Sequence, residues 1–351
     1  MTKKPIQLAD VARHANVGVS TVSMALRDDP RIAVKTREKV RAAVRALGYE
    51  PTANMEARRM GARRAGRAMP YRTLGLLWTA SQEHSMVQTS FYRALLDGVV
   101  DACWQVKHTL LLMNLAGESR EEFAALSQVD GVILPQSNRT CMQMAQTLGR
   151  PVVTILRGEP TEDEPRINVG IDDAEAVRLA FEHLHTQGHR RIGYIGPKAD
   201  PLHGKRRHEA FEACRARHGL SGEGELVALG EGLPWRENAA RCLRTLMRRP
   251  SPPTGVVVYN DMMALGALEA AQELGVRVPA DLSMVSIDDV REAAETDPPL
   301  TTVSIQIEEL GRQAARALAA VVEGRPPAER DIRVPVVLKA RASTAAPRAE
   351  T

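Results

Sequence analysis

No run of apolar residues in this 351-residue chain approaches the length needed to cross a bilayer, so a membrane-spanning helix is not expected. The N-terminus lacks the apolar stretch of a secretory signal, which points to a protein that stays in the cytoplasm. Cysteine is scarce: Cys103, Cys141, Cys214 and Cys242 stand far apart, the pattern of reduced thiols rather than of a disulfide frame or a zinc site. Catalytic motifs are missing as well. No G-x-G-x-x-G follows a strand, and there is no P-loop and no G-x-S-x-G elbow. Neither an enzyme nor a bound cofactor is therefore expected. His183, His185 and His189 form H-x-H-x3-H, but two fall near the end of a predicted helix and one beyond a glycine turn. That placement reads as a solvated helix end, and no metal is expected.

What is present begins with charge. Residues 1–70 hold 15 Lys and Arg against 6 Asp and Glu, a net of +9, whereas the whole chain carries only +4. The remaining residues are therefore mildly acidic. A basic module on an acidic body is the electrostatic layout of a protein that reads a polyanion. Binding of this kind falls steeply with salt, because each phosphate contact releases counterions.

Within the basic segment, Gln7–Ala15 reads as a helix with Leu8, Val11, Ala12 and Ala15 on one face. Asn16, Val17 and Gly18 make a tight turn, and Val19–Arg27 reads as a second, short helix. A third covers Val34–Leu47, with Val40, Ala43, Val44 and Leu47 on one face. Two short helices around a small turn form the shape that lays the second helix into the DNA major groove. The positions before the helices are Gln7, Gly18 and Ala33. An alanine cap has no oxygen for the free amides, at a cost of about 1 kcal/mol. The headpiece is thus expected to be weakly stable by itself.

From Thr73 short strand-like runs alternate with helical ones. Thr73–Trp78, His108–Asn114, Gly131–Pro135 and Val152–Leu156 form one set. Asn168–Asp172, Arg191–Gly196, Gly255–Asn260 and Leu282–Asp288 form a second, with helical stretches such as Ala174–Gln187 and Met262–Leu274 between them. This alternation predicts two parallel α/β lobes, with ligands bound beyond the carboxyl ends of the strands, in the cleft between lobes.

The segments LADVARHANVGVSTVSMAL (Leu8–Leu26), TREKVRAAVRALGYEP (Thr36–Pro51), HRRIGYIGP (His189–Pro197), VVYNDMMALGALEAAQELGVRVPADLSMVSIDD (Val257–Asp289) and PPLTTV (Pro298–Val303) occur in this order. Together they resemble the LacI/GalR family of bacterial transcription regulators over nearly the whole chain. The resemblance implies an all-α helix-turn-helix headpiece and a bilobed α/β core of two Rossmann-like lobes, like the type I periplasmic sugar-binding proteins. The expected domains are 1–50 for DNA binding, 51–72 for a hinge helix and basic linker, 73–345 for the core, and 346–351 as a tail. Within the core, lobe 1 is expected at 73–164 and 293–330, and lobe 2 at 165–292 and 331–345. A periplasmic binding protein would share the core but would need a signal peptide and no basic headpiece.

The family pattern carries particular residues with it. The base-reading positions match Val19, Ser20 and Met24, while Thr21 and Ser23 suit phosphates. Met24 replaces the Arg or His common there, so the base beneath it should differ from the usual half-site. Tyr49 and Pro51 match the motif before the hinge, yet no leucine follows before Leu74. Met55 and Met60 are then the apolar side chains available to wedge into the minor groove. Arg58–Arg72, with six arginines and no acid, suits phosphates or a narrow minor groove, or else is a solvated linker.

In the core, the family's effector contacts map onto Arg207, Trp235, Asn260 and Asp288. Arg207 offers a donor fork, Trp235 an apolar platform, Asn260 a donor and an acceptor, and Asp288 an acceptor. Asp261 either joins them or caps the helix from Met262. Trp78 and Phe91 either line the cleft or belong to the core. Ser286 and Ile287 depart from the family's usual glycine and aromatic, and no clear contact stands at Ser304, Ile305 or Gln306. A sugar or sugar derivative is the expected effector, with a purine, another metabolite or a partner protein as alternatives. The resemblance further implies a homodimer on a pseudo-palindromic double-stranded operator. The tail from Ser343 lacks a leucine heptad, so no tetramer is expected.

Overall fold

The computed structural model describes residues 8–25, 31–47, 72–78, 90–114, 126–135, 147, 149–157, 166–198, 200, 202–220, 226–231 and 235–348. The chain divides into two compact units, residues 1–70 and 71–351. Among the described residues, no helix is long and apolar enough to cross a membrane.

The first unit holds α1 (Leu8–Ala15), α2 (Val19–Ala25) and α3 (Val34–Leu47). Its core joins the predicted Leu8, Val11, Ala12, Ala15, Val40 and Ala43 to Val22 and Ala25, while Val44 and Leu47 are partly buried against it. Asn16 makes the turn between α1 and α2 with φ 47°, a left-handed conformation that asparagine tolerates better than most residues. Gly18 and Ala33 precede α2 and α3, and their carbonyls accept the first helical bonds from Val22 and Arg37. Neither supplies a side-chain acceptor for the remaining amides. Gln7 lies outside the described residues.

The second unit contains two six-stranded sheets. The first holds β1 (Thr73–Trp78), β2 (Thr109–Asn114), β3 (Gly131–Pro135), β4 (Val152–Ile155), β5 (Ile167–Gly170) and β11 (Asp331–Arg333), in the order β11-β5-β4-β3-β1-β2. Every neighbouring pair in it is parallel. The second holds β6 (Ile192–Pro197), β7 (Val227–Gly230), β8 (Gly255–Val258), β9 (Ser283–Asp288), β10 (Thr301–Ser304) and β12 (Val337–Lys339), in the order β12-β10-β9-β8-β6-β7. Only β12 runs antiparallel to its neighbour. Strands such as Val152–Ile155 and Ser283–Asp288 are buried throughout, as expected for sheets covered on both faces.

Around the first sheet pack α4 (Ser90–Gln105) and α10 (Ile307–Val322). Their backbones touch: a Cβ on Gly98 would lie 1.9 Å from the Glu308 carbonyl oxygen. The second lobe carries α5 (Asp173–Thr186), α6 (His203–Arg217), α7 (Trp235–Met247), α8 (Asp261–Glu273) and the short α9 (Arg291–Glu295).

The two-lobed α/β core is as expected, but three strands fall in the opposite lobe. β5 pairs with β4 through Val153 and Ile167, so it belongs to the first sheet. β10 pairs with β9 in the second, and β11 with β5 in the first. The physical reason is that alternation identifies a strand without revealing its sheet. The chain in fact crosses between lobes three times, after β5, β10 and β11. The crossing segments bond to each other: Val334 N–H donates to the Gly170 carbonyl at 2.8 Å, and Gln306 Nε2 to that of Pro335 at 2.6 Å.

The three predicted tail-end histidines also part company. His189 is buried between Thr254 Oγ1 and the Ala345 carbonyl, and His183 faces Thr344 Oγ1 at 2.9 Å. Both contact the C-terminal segment at Thr344 and Ala345 and do not form a solvated helix end. His185 points elsewhere, toward His218.

Candidate functional site

Asp288 is the last residue of β9, and Asp200 and Asn260 follow the ends of β6 and β8. The N-terminal parts of α5 and α6 bring Asp173, His203 and Arg207 to the same place. Arg207 is 4% exposed. Its Nε donates to Asp173 Oδ1 at 2.8 Å and its Nη1 to the Tyr259 carbonyl at 2.5 Å. The guanidinium carbon lies 4.7 Å from the centre of the Tyr259 ring, a cation–π contact. Trp235 stacks on the same ring, with centroids 5.5 Å apart and planes within 4°. The Tyr259 hydroxyl donates to Asp200 Oδ2 at 2.6 Å.

The lobes meet here. His203 Nδ1 is 2.7 Å from Asp173 Oδ2, and its Nε2 is 2.7 Å from the carbonyl of Leu156, which follows β4 in the other lobe. Ser90, at the start of α4, donates to Glu292 of α9. The polar cluster therefore lies at the carboxyl ends of the second sheet and faces the first lobe, the position at which α/β folds bind ligands.

Three buried carboxyls behave differently. Burial would raise the Asp173 carboxyl, but Arg207 and His203 outweigh it and hold it at about 2. Burial pushes Asp288 up to about 8; Arg207 draws it down, while Asp261 and Asp173 repel it further upward. Asp288 also has φ 126°, and the next residue, Asp289, φ 64°. Such backbone is strained for a side-chain-bearing residue and tends to occur where function requires it. Asp261, fully buried, is raised to about 6 by burial, against the pull of Ser286, Thr302 and the Val290 amide.

Of the expected effector residues, Arg207, Trp235, Asn260 and Asp288 come together in this region. Their roles differ from expectation in detail. Arg207 is not a free fork, since Asp173 and Tyr259 engage two of its nitrogens. One face of Trp235 is covered by Tyr259. Asn260 is the cap of α8, accepting from the Met263 amide at 2.9 Å. Asp261 is not the cap of α8; its carboxylate accepts from Ser286, Thr302 and the Val290 amide. Phe91 packs edge-on against Tyr92 at 5.1 Å and against the main core. Trp78 ends β1, and its side chain lies outside the described residues.

In the headpiece, Val19 and Ser20 are exposed at the start of α2, with Thr21 half-buried behind them. Met24 is half-buried, its sulfur 3.8 Å from Arg31 Nη2. The side chain of Ser23, and Met55 and Met60 entirely, lie outside the described residues. Sequence reasoning missed Asp173, His203, Tyr259 and Asp200. Tyr259 could have been found as the aromatic beside Asn260; Asp173 and His203 become partners only once α5 and α6 lie side by side, and Asp200 only once the end of β8 brings Tyr259 to it.

Residues 7–52 match the model for "Bacterial regulatory proteins, lacI family", and residues 181–344 that for a periplasmic binding protein-like domain. The HTH-type transcriptional repressor PurR of Escherichia coli is 30% identical over 320 residues, covering 89% of either chain. This chain belongs to the LacI family. The solved transcriptional regulator CelR–cellobiose complex is similar over 96% of this chain and 99% of that one, with a TM-score of 0.67 and 27% identity. The lac repressor dimer bound to operator and the anti-inducer ONPF shares the fold over 98% of this chain and all of that one, with a TM-score of 0.73 and 24% identity. As a LacI-family protein it is a DNA-binding transcriptional regulator and not an enzyme.

Proposed function

We propose that a sugar or sugar derivative bound between the lobes sets the operator affinity of this regulator. The observation that carries this reading is the stacked Trp235–Tyr259 pair beside the Arg207–Asp173 ion pair and Asp288. An aromatic face suits the C–H face of a sugar ring. A carboxyl raised like that of Asp288 both donates and accepts near neutral pH, as a hydroxyl partner must. A solved relative named for its cellobiose complex supports the same class. A purine is the second reading, because a planar base would also stack against Trp235, and close relatives are repressors named PurR.

The reading extends to DNA as follows. Two copies of the chain pair, and each lays α2 into one half of a pseudo-palindromic operator. Val19, Ser20 and Met24 face bases, Thr21 and Ser23 face phosphates, and Met55 and Met60 serve as minor-groove wedges. The ligand bridges the lobes, where His203 reaches Leu156 and Ser90 reaches Glu292. It shifts the lobe arrangement only as far as it binds one arrangement more tightly than the other.

Operator fragments selected from random DNA and titrated by fluorescence anisotropy test this. A sugar is expected to change operator affinity, and Trp235→Ala to abolish that response while keeping DNA binding. A response to purines alone would replace the ligand class. Indifference to both sugars and purines would overturn the reading.

A further inference from the structure

We propose that Glu182, His185 and His218 form a binding site for a divalent transition-metal ion of the zinc type, apart from the effector cleft. Glu182 and His185 stand three residues apart on α5, and so share one face of the helix. His218 follows α6 directly. One ligand atom from each of the three lies within 4.8 Å of the others, and all three residues are half-buried. His218 Nε2 is 2.8 Å from Glu182 Oε1, and the two imidazole rings have centroids 4.0 Å apart.

Two imidazoles and one carboxylate are a zinc ligand set that leaves a fourth position for water. Bonds of about 2.0–2.1 Å place tetrahedral ligand atoms about 3.3–3.4 Å apart, so closure of at most about 1.5 Å is required. Phe181 lies beneath both rings, 6.2 Å from His185 and 5.7 Å from His218, and excludes water from one side. Two adjacent imidazoles disfavour a shared positive charge. Burial first, then His218 and Arg190, hold the His185 ring toward its neutral, metal-binding form. Nearby charges run both ways: Arg190 donates to the His185 carbonyl at 3.1 Å, and Arg178 and Cys214 lie within electrostatic reach of Glu182.

The location gives such an ion a consequence. α5 and α6 carry Asp173, His203 and Arg207 near their N-terminal ends, and the three candidate ligands lie at their C-terminal ends. A bound ion would join the two helices that hold the Asp173–Arg207 pair in register.

The test uses the full-length, tag-free protein, stripped with EDTA and titrated calorimetrically with zinc chloride, followed by thermal melting. One equivalent per chain is expected. Zinc at about 100 times its dissociation constant should raise the melting transition of residues 71–351 on the order of 5–10 °C. Measured against each variant's own metal-free transition, His185→Gln and His218→Gln should each remove the zinc-induced shift, whereas His183→Gln should retain it. Absence of saturable zinc binding would overturn the proposal. So would binding that survives unchanged in both His185→Gln and His218→Gln.

Discussion

The two compact units of this regulator differ most in what fills them. Among the described residues, the headpiece core holds eight buried side chains, four of them alanine and none aromatic. The larger unit is closed by long aliphatics and by Tyr194, Phe181 and Phe211, all fully buried. Its polar interior is also organised, with Arg207, Asp173 and Asp261 each held by partners. An alanine contributes little apolar area, so the headpiece has little surplus over its chain entropy. The contrast points to a division of labour: a DNA reader expected to be weakly stable by itself, and a sensor whose charged seam holds the strained backbone at Asp288 and Asp289.

The contrast can be broken first from the sensor side. Arg207→Ala leaves the buried Asp173 without its main counter-charge. Removal of one partner from such a pair costs about 3–5 kcal/mol. In a calorimetric scan, the transition of residues 71–351 should fall while that of the headpiece stays in place. Unchanged melting of the larger unit would show that the pair is not structurally important.

The next effect is a pH dependence confined to the larger unit. Asp288 has a folded pKa raised from 3.8 to about 8, mainly by burial. Its stabilisation is therefore fully present below about pH 4 and is lost as pH rises through 8. Asp261, raised to about 6, acts in the same direction. Asp173, held at about 2, acts oppositely, but only as pH falls below 4. Asp288→Asn should accordingly gain stability over the parent between pH 5 and 8, on the order of 3 kcal/mol. Parallel melting curves for both proteins across that range would contradict the assignment.

On the headpiece side, Val40→Ala removes one of the few larger side chains in its core. A loss of about 1.5–3 kcal/mol is expected, enough to leave the DNA-free headpiece largely unfolded. Operator DNA should restore its far-ultraviolet helical signal. Conversely, Ala33→Ser supplies the missing cap of α3 and should stabilise the headpiece by about 1 kcal/mol. A cooperative, high-temperature transition in the unaltered headpiece would remove the contrast altogether.

Much of this architecture was legible in the residues. The face formed by Leu8, Val11, Ala12 and Ala15 appears intact in α1, because helical periodicity in a small unit reports its core directly. Arg207, Trp235, Asn260 and Asp288 converge because strand ends and helix starts are local features. The lobe membership of β5, β10 and β11 was not legible, since a parallel strand reads alike in either sheet. The same limit hid Asp173, whose importance comes from Arg207 34 positions away. It hid the pairing of His185 with His218 too: H-x-H-x3-H read as a solvated helix end, while the fold separates its members and sets His185 against His218.

The central claim is that the Asp288 end of β9 and its neighbours form the effector site. The most direct measurement is thermal melting of the full-length protein against sugars, sugar phosphates and nucleobases, repeated with Asp288→Ala. At about 100 times its dissociation constant, the effector should add about 2.7 kcal/mol to the larger unit. That gain should disappear in the variant, whose own folded baseline is measured alongside. A ligand that stabilises parent and variant equally would place the effector site elsewhere and contradict the account.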